Sequence, residues 1–345
     1  MDKKHTKFTK IPQFRDVIRN VTRQAQFQGL DENDEPILNP NAKKPTITFT
    51  GTVKLHGSNS SISTNGDEIW YQSRKRIITV DKDNCGFAQF CTARKESIGK
   101  LFTVVDMRVG EPDAIVCIFG EICGQGVQKG VSISALPRMF VIFAVKVVPK
   151  EGVSYYIDSK GLSDPDNLIY NIYDFQTFEV EVDFEYPGIA QNKFVELVNE
   201  VERECPVGKA LGVTEGNTIG EGIVWTAYFD GVKHSMKTKG EKHSSSRTKT
   251  IAPIDIERLN SIQEFVEYAV TNNRLNQAIA EIFEGAEPVI QQMSDFLKWI
   301  IRDIADEEVG VLEENGLILK DVTRAVSNKA RSWFQELLNK NTGLK

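Results

Sequence analysis

The chain has 345 residues, of which 40% are hydrophobic and 26% charged, values typical of a soluble protein with one large domain or two domains. No apolar run approaches the ~18–20 residues that span a membrane, and the polar N-terminus leads into no apolar segment of a secretory signal. We therefore expect no membrane partner.

The five cysteines follow no zinc-binding spacing, and we expect free thiols in a reducing, cytoplasmic setting. Because there are only four histidines, a metal site built from carboxylates and phosphates is favoured over a histidine- or thiolate-ligated one.

The formal net charge of −6 argues against a protein that coats nucleic acid through overall positive charge, but it is compatible with a local basic surface. Basic residues are concentrated in one segment, which contains Lys233, His234, Lys237, Lys239, Lys242, His243, Arg247 and Lys249. This segment is either a nucleic-acid contact or a solvated face of the protein.

Apolar residues at helical spacing predict a helix over residues 10–28, and a polar stretch rich in Pro and Asn predicts a loop over residues 31–45. Polar and apolar residues then alternate over residues 46–53, which predicts a strand that delivers Lys54 at its end. Further strands are predicted over residues 68–72, 114–119, 140–148 and 222–229, and helices over residues 87–102 and 193–204. Lys237 and Lys239 alternate, so they can face one side of a strand.

Strands and helices without a regular βαβ rhythm predict an α+β fold with antiparallel sheets and flanking helices. After about residue 250 only helical periodicity remains, which predicts a small all-helical C-terminal domain. We therefore predict one domain over residues 1–243 and a helical domain over residues 250–345, with the hydrophilic residues 241–249 as the linker.

The chain contains neither a P-loop nor a GxGxxG motif. A sharper pattern is Lys54-Leu55-His56-Gly57-Ser58-Asn59, which directly follows the predicted strand. A lysine at a strand end can be held rigidly against a nucleotide, and the glycine lets the backbone approach the ligand.

This pattern resembles motif I, K-x-x-G, of the covalent nucleotidyltransferases. The histidine at its third position, His56, and the asparagine at its sixth, Asn59, resemble the RNA ligase 2 family in particular. DNA ligases and capping enzymes usually have Asp where this chain has His56.

The other motifs of the family follow in order. Arg74 resembles the ribose-contacting arginine of motif Ia, and Phe119-Gly120-Glu121 begins a segment that resembles motif III, whose glutamate binds the ribose hydroxyls. Phe143 resembles the aromatic residue of motif IIIa that stacks on adenine. Glu221 resembles the metal-binding glutamate of motif IV, and Lys237 and Lys239 resemble the phosphate-contacting lysines of motif V. The helical tail is also similar to that of the family around residues 268–276.

The resemblance implies a nucleotidyltransferase domain with an ATP-grasp-like ligase fold and an ATP-dependent RNA ligase that carries AMP covalently on Lys54. It implies Mg²⁺ or Mn²⁺ at Glu221, and catalytic roles for Lys237, Lys239 and His56. The two motif V lysines would also lower the pKa of Lys54 by like charge. Asn59 would orient the leaving group or contact the phosphate.

Two positions depart from the family pattern. The family often has Glu just before the nucleophile, whereas this chain has Val53, so backbone groups around Val53 and Leu55 would have to read adenine. A lysine often follows motif IV, where this chain has Thr226.

The implied partner is nicked duplex RNA or an RNA–DNA hybrid with a 3′-OH and a 5′-phosphate. We expect a monomeric, phage-like RNA repair enzyme that acts in the cytoplasm of a bacterial host. A DNA ligase, a capping guanylyltransferase and a non-catalytic nucleic-acid-binding protein on the same fold are the alternatives. Individual residues also have plainer interpretations: Phe143 as a core residue, Arg74 as part of a solvated trio, and His56 as the partner in a buried hydrogen bond.

Overall fold

A computed structural model describes residues 1–111, 113–240, 242–243, 262–283 and 285–341, without the side chains of residues 314, 340 and 341. The chain divides into two compact units. The first unit consists of Met1–Ile11, Thr50–Glu179 and Asn199–Trp225, and the second of Pro12–Phe49, Val180–Val198 and Thr226–Lys345. The predicted domain boundary at residues 244–249 lies outside the described residues and stays a prediction. Within the described part of the chain, no helix is long and apolar enough to cross a membrane.

The strands, in chain order, are β1 Phe27–Leu30, β2 Pro36–Leu38, β3 Thr46–Lys54, β4 Ser58–Thr64, β5 Ile69–Ser73, β6 Ile77–Ile78, β7 Ile115–Cys123, β8 Met139–Val148, β9 Tyr155–Ile157, β10 Ile169–Asn171, β11 Thr177–Asp183, β12 Gly222–Phe229 and β13 Val232–Lys239. The α-helices are α1 Phe14–Gln26, α2 Phe87–Thr92, α3 Lys95–Val109, α4 Gly188–Arg203, α5 Pro206–Ala210, α6 Ile262–Ala269, α7 Asn272–Phe283, α8 Met293–Glu307, α9 Val309–Glu314 and α10 Leu319–Asn341.

The largest sheet has seven strands in the order β10-β8-β7-β4-β5-β6, with β9 also paired to β8. Its pairs are antiparallel, apart from the parallel pair of β10 and β8. A second sheet has the order β11-β3-β12-β13, and β1 and β2 form a hairpin. Together with the C-terminal helices, these sheets confirm the predicted α+β fold with antiparallel sheets, flanking helices and a helical C-terminal region.

The seven-stranded sheet buries apolar side chains on both faces. Helices α2 and α3 cover one face, where Phe87 and Ile98 pack with Ile118 and Phe140 of the central strands. On the other face Trp70 and Phe119 form a smaller cluster, against which Phe8 of the N-terminal segment packs. Such two-sided burial explains the nearly continuous apolar runs of β7 and β8.

Strand β4 was not predicted, because its sequence Ser-Asn-Ser-Ser-Ile-Ser-Thr carries little apolar signal. Ser61 and Ser63 are nevertheless buried between β5 and β7. The Gln72 amide nitrogen of β5 donates to the hydroxyls of Ser61 at 2.7 Å and Ser63 at 2.9 Å. The Gln72 amide oxygen accepts from the Thr6 backbone at 2.8 Å, so the polar strand is satisfied internally.

The predicted helix over residues 87–102 is in fact two helices, α2 and α3. In a continuous helix the Arg94 backbone N–H would donate to the Phe90 carbonyl, but it donates to the Cys91 carbonyl instead, at 2.9 Å. The Arg94 guanidinium instead donates to the Phe90 carbonyl at 3.1 Å, and it also donates to the Asn167 carbonyl at 2.6 Å. This tertiary contact ends the first helix.

The predicted loop over residues 31–45 was wrong at residues 36–38, which form strand β2. The Asp31 carboxylate accepts from the backbone N–H groups of Asn33 and Glu35 at 2.8 and 2.9 Å, and so closes the turn between β1 and β2. The polar residues that indicated a loop therefore form a hairpin turn.

In the second unit the C-terminal helices enclose an apolar core that includes Phe265, Phe296 and Phe334. Beside this core lies a buried cation, Arg274 of α7, whose side chain is 0% exposed. Its guanidinium donates to Asp303 and Glu308, each at 2.8 Å, and to the carbonyl of Ala269. These partners satisfy a charge that the helices could not otherwise bury.

We expect Arg274→Ala to lower the free energy of unfolding of the protein by about 3–5 kcal/mol, because it removes a fully buried cation that pairs with Asp303 and with Glu308. Chemical unfolding followed by circular dichroism measures this loss. The matched control is Arg324→Ala on the exposed side of α10, for which we expect a change within about 0.5 kcal/mol. Equal effects of the two substitutions would contradict this account of the helical core.

Candidate active site

Lys54 and Glu221 form the centre of the predicted site, within the first unit. Lys54 is the last residue of β3, and Glu221 directly precedes the neighbouring strand β12. The Lys54 Nζ lies 2.7 Å from the Glu221 Oε2, and the side chains are 23% and 3% exposed. The two strands can pack this closely because residue 51 is glycine. A Cβ on Gly51 would come within 2.6 Å of the Trp225 ring.

His56 belongs to the same cluster. Its Nδ1 lies 3.4 Å from the Glu221 oxygen that Lys54 also contacts. The structure thus supports the interpretation of His56 as a partner of a buried polar group. It also places the imidazole beside the predicted nucleophile, so the expected catalytic role of His56 stays a prediction.

Gly57 is required by the close approach of its backbone to β7. A Cβ at this position would lie 2.3 Å from the Ile122 carbonyl oxygen and 2.8 Å from the Cys123 Cβ. The Gly57 N–H also donates to the Glu121 carboxylate at 3.2 Å. The structure thus shows that the glycine lets the backbone approach strand β7, and its expected role in letting the backbone approach a ligand stays a prediction.

Glu121 on β7 is a partly buried carboxylate with an altered pKa. Burial raises its pKa to about 7, and the charge of Glu221 acts in the same direction. The cations Lys54 and Arg74 and the hydrogen bond from Gly57 oppose the shift. Near neutral pH, Glu121 is therefore present in both its protonated and its charged form, and either form can hydrogen-bond to a hydroxyl group.

Two other predicted residues lie near Glu121. Asn59 is its direct partner in the register of β4 and β7. Arg74 is exposed just beyond the end of β5, and its charge reaches Glu121. The structure therefore brings Lys54, His56, Asn59, Arg74, Glu121 and Glu221 to one region of the first unit.

Phe143 occupies a β-bulge in β8. Phe119 pairs with Ala144 and Gly120 pairs with Ile142, so Phe143 is the unpaired extra residue. Its ring is partly exposed and meets Phe8 edge-on, with ring centroids 5.1 Å apart. It packs with the cluster that contains Phe119, so it is a core residue on one side and accessible on the other.

Val53 and Leu55, which flank the predicted nucleophile, are both buried. Their side chains therefore belong to the protein interior, and only their backbone groups are available to a nucleotide. The expectation that backbone groups at these positions read adenine stays a prediction.

Lys237 and Lys239 lie on β13, within the second unit. Both are partly exposed, and they alternate with the buried residues Met236 and Thr238, which confirms the prediction that they share one side of a strand. The Lys237 ammonium donates to the carboxylate of Glu307, at the end of α8. Of the basic segment, Arg247 and Lys249 lie outside the described residues.

Two of these contacts were not predicted from the sequence. Phe8 packs on Phe143, and Glu307 pairs with Lys237 across 70 residues of sequence. No motif or periodicity links Glu307 to β13. Arg274 lies next to Glu307 and belongs to residues 268–276, which resemble the helical tail of the family. That resemblance was the only feature of the sequence that pointed to this part of the second unit.

The described residues contain no group of three or more His, Cys, Asp or Glu side chains arranged to hold a metal ion. Glu221 nevertheless fits a magnesium or manganese ion whose other ligands are nucleotide phosphates and water, the usual arrangement for Mg²⁺. Its carboxylate is already balanced by one positive charge, that of Lys54.

We expect Gly57→Ala to lower the free energy of unfolding by about 1–3 kcal/mol, because the new methyl group meets a backbone oxygen that cannot move cheaply. Chemical unfolding of the purified protein measures the change. The matched control is Gly99→Ala in α3, where nothing lies within 4 Å of the added Cβ. That substitution should stabilise the protein by about 0.5–1 kcal/mol, so a shared sign would contradict the packing described here.

The raised pKa of Glu121 predicts a pH dependence of stability. The folded carboxyl binds its proton more tightly than the unfolded one, whose pKa is 4.5. The stabilising contribution is therefore complete below pH 4.5 and is lost as the pH rises through about 7. Unfolding free energies measured across this window should decline less steeply for Glu121→Gln than for the native protein. Parallel curves would show that Glu121 has an ordinary pKa.

Comparison with known proteins adds a family to this geometry. A model of the RNA ligase family matches residues 47–239, whereas curated protein sequences give no match. Among solved structures, Naegleria gruberi RNA ligase with PPi is 14% identical, with a TM-score of 0.41, over 68% of this chain and 56% of that one. A mutant of that ligase with ATP and Mn is 15% identical, with a TM-score of 0.43, over 69% of this chain and 56% of that one. The chain thus spans little more than half the length of these ligases. Because residues 47–239 are more than half of the sequence, the chain belongs to the RNA ligase family.

Proposed function

We propose that the protein is an ATP-dependent RNA ligase that seals 3′-OH/5′-phosphate nicks in duplex RNA or RNA–DNA hybrids through AMP held on Lys54. Membership of the RNA ligase family supports the class of reaction. The observation that carries the finer proposal is the contact of Lys54 with the buried Glu221 carboxylate at 2.7 Å, because it places a lysine and a metal-binding type of side chain together.

In the first step the Lys54 amine attacks the α-phosphorus of ATP. A P–N bond forms, the bond to the bridging oxygen breaks and pyrophosphate leaves with its electrons. In the second step a 5′-phosphate oxygen of RNA attacks the same phosphorus, which restores Lys54 and forms a pyrophosphate linkage. In the third step the 3′-OH attacks the RNA phosphate and AMP leaves. Phosphoryl transfers of this kind depend on positioning and on neutralised oxygens.

Lys54 can act as a nucleophile only after it has lost a proton and left the Glu221 carboxylate. In the protein without nucleotide, Lys54 therefore forms an ion pair with Glu221, the residue that would later hold a metal. A Mg²⁺ or Mn²⁺ ion bound by Glu221 would supply the replacing positive charge and polarise the phosphate oxygens. His56, which faces the same carboxylate oxygen, would help to keep Glu221 in place.

The other side chains would bind and orient the nucleotide. Glu121 would accept hydrogen bonds from the ribose hydroxyls, with Arg74 nearby. Phe143 would stack on adenine, which its partly exposed ring at a bulge allows. Lys237 and Lys239, on one side of β13, would bind the α-phosphate. Asn59, opposite Glu121, is assigned to the phosphate or the leaving group.

We further propose that the protein works as a monomer in the cytoplasm and that its partner is a nicked duplex. These proposals rest on the sequence resemblance.

We expect Lys54→Ala to abolish transfer of radiolabelled AMP from ATP to the protein and sealing of a nicked RNA duplex, because no other group would form the P–N bond. The measurement is protein-bound label after gel electrophoresis with Mg²⁺ or Mn²⁺, followed by the sealing assay. Lys100→Ala, which changes a lysine of α3 whose side chain is 72% exposed, is the matched control and should retain native rates.

The same assay separates the alternatives. Label that arrives from GTP and not from ATP would indicate a capping enzyme, and sealing only of nicks with DNA on both sides would indicate a DNA ligase. Absence of label in the native protein would indicate a non-catalytic nucleic-acid-binding protein. We expect the protein to seal a nicked RNA duplex faster than it joins single-stranded RNA.

A further inference from the structure

Arg138 is a cation of the first unit that directly precedes strand β8, and its side chain is partly exposed. Its Nε is buried and has no hydrogen-bond partner. Within the part of the chain that the structure describes, the Arg138 side chain forms no ion pair or hydrogen bond with another residue. A guanidinium carries five N–H donors, and a buried donor without an acceptor costs free energy. The Arg138 guanidinium is therefore available to a ligand with acceptor oxygens.

Two glycines leave room for this guanidinium. A Cβ on Gly86 would lie 2.1 Å from the Arg138 Nη1, and a Cβ on Gly126 would lie 3.2 Å from its Nη2. Both glycines have a positive φ, of 69° and 82°, which a residue without a side chain adopts readily. The Arg138 guanidinium therefore lies directly against two backbone segments of the first unit and does not extend freely into solvent.

The acidic residue nearest to Gly86 in the sequence does not neutralise Arg138. The Asp83 carboxylate instead accepts hydrogen bonds from three backbone N–H groups around the start of α2, at 2.6, 2.8 and 2.9 Å, those of Asn84, Ala88 and Gln89. These bonds fix the carboxylate at the helix. The positive charge of Arg138 therefore remains available to an anion.

Arg138 lies at the edge of the seven-stranded sheet where the K-x-x-G segment also lies. At this edge β4 begins, β7 ends and β8 begins, because Ser58 pairs with Ile122 and Cys123 pairs with Met139. The K-x-x-G segment leads directly into β4, and Arg138 leads directly into β8. The sheet therefore brings the guanidinium to the same edge as the candidate active site.

The loop that contains Gly86 is connected to the same segment by a hydrogen bond. The side-chain amide of Asn84, two residues before Gly86, donates to the hydroxyl of Ser58 at 3.1 Å. Ser58 directly follows Gly57, the glycine of the K-x-x-G pattern. The surroundings of Arg138 and the segment that carries the predicted nucleophile are thus linked within one unit.

We propose that Arg138 binds a phosphate group beside the candidate active site. A guanidinium matches phosphate oxygens in charge and geometry, since it can donate two parallel N–H bonds to them. The proposal rests on the function proposed above, which supplies two substrates with phosphates, ATP and the nicked duplex. Gly126 and Lys129 of the neighbouring loop are exposed, so that a strand can reach the guanidinium from solvent. We therefore expect the phosphate to belong to a nucleic-acid strand.

The test is Arg138→Ala in the whole chain, with two measurements that distinguish the sources of phosphate. The first is equilibrium binding of a nicked RNA duplex without ATP, over a series of salt concentrations. We expect affinity to fall about tenfold, as for a lost hydrogen bond to a charged group. The slope of log affinity against log salt concentration should become shallower by about one, because one phosphate contact is lost. The second measurement is the half-saturating ATP concentration in single-turnover transfer of labelled AMP to the protein, which should not change.

The matched control is Arg108→Ala, which removes the same charge from an exposed position near the end of α3. This helix leads toward the start of β7, at the opposite edge of the sheet. Its duplex affinity and salt slope should equal the native values. Arg138→Lys keeps the charge but lacks the planar pair of donors, so we expect an intermediate affinity. The Lys variant also serves if Arg138→Ala does not fold, as judged by circular dichroism.

A change in either measurement for Arg138→Ala, with native values for Arg108→Ala, supports a phosphate site at Arg138. The measurement that changes identifies the source, a nucleic-acid strand or ATP. Native values of Arg138→Ala in both measurements would overturn the proposal. An equal loss for Arg108→Ala would overturn it as well, since the effect would then come from net charge alone.

Failure of this inference differs from failure of the proposed function. A native protein that takes up AMP, with an Arg138→Ala variant that matches it in both measurements, refutes only the phosphate site. A native protein that takes up no AMP refutes the ligase function. In that case a weaker binding of the duplex by Arg138→Ala would still support the phosphate site, and a native protein that binds no duplex would refute both.

Discussion

The Glu221 carboxylate is almost fully buried, and a buried anion is stable only beside a cation or strong hydrogen-bond donors. Lys54 supplies that cation, so the predicted nucleophile is at the same time the counter-ion of the predicted metal ligand. The two roles exclude each other in time, because a neutral amine no longer balances Glu221. In the proposed mechanism, loss of the lysine proton, arrival of a metal ion and binding of the phosphates would therefore be linked through one carboxylate oxygen.

A second lysine shows the same arrangement within its own unit. Lys237 is held by Glu307, and Glu307 by Arg274. In both cases a lysine assigned to phosphate chemistry rests on a carboxylate, a group that resembles a phosphate in charge and in its acceptor oxygens. Such contacts keep flexible, strongly hydrated ammonium groups near one geometry in the protein without nucleotide.

The sequence predicted the elements whose side chains alternate between interior and solvent. Strand β3, which ends at Lys54, and the shared side of Lys237 and Lys239 follow from that alternation. Strand β4 could not be predicted, because its serines are buried only where Gln72 satisfies them from another strand. The break between α2 and α3 depends on Arg94 reaching a distant carbonyl, and the pairing of Lys237 with Glu307 spans 70 residues. Contacts of this kind arise from tertiary structure and leave no local pattern.

The position of Gly57 also bears on protein engineering. Its place is dictated by the Ile122 carbonyl and the Cys123 side chain, which belong to the scaffold. A designer who wished to change the proposed nucleotide preference could vary Phe143, the residue that we propose stacks on the base, without disturbing this contact. The glycine would have to remain in every such library, whichever nucleotide was selected, because the steric limit comes from the strand behind it.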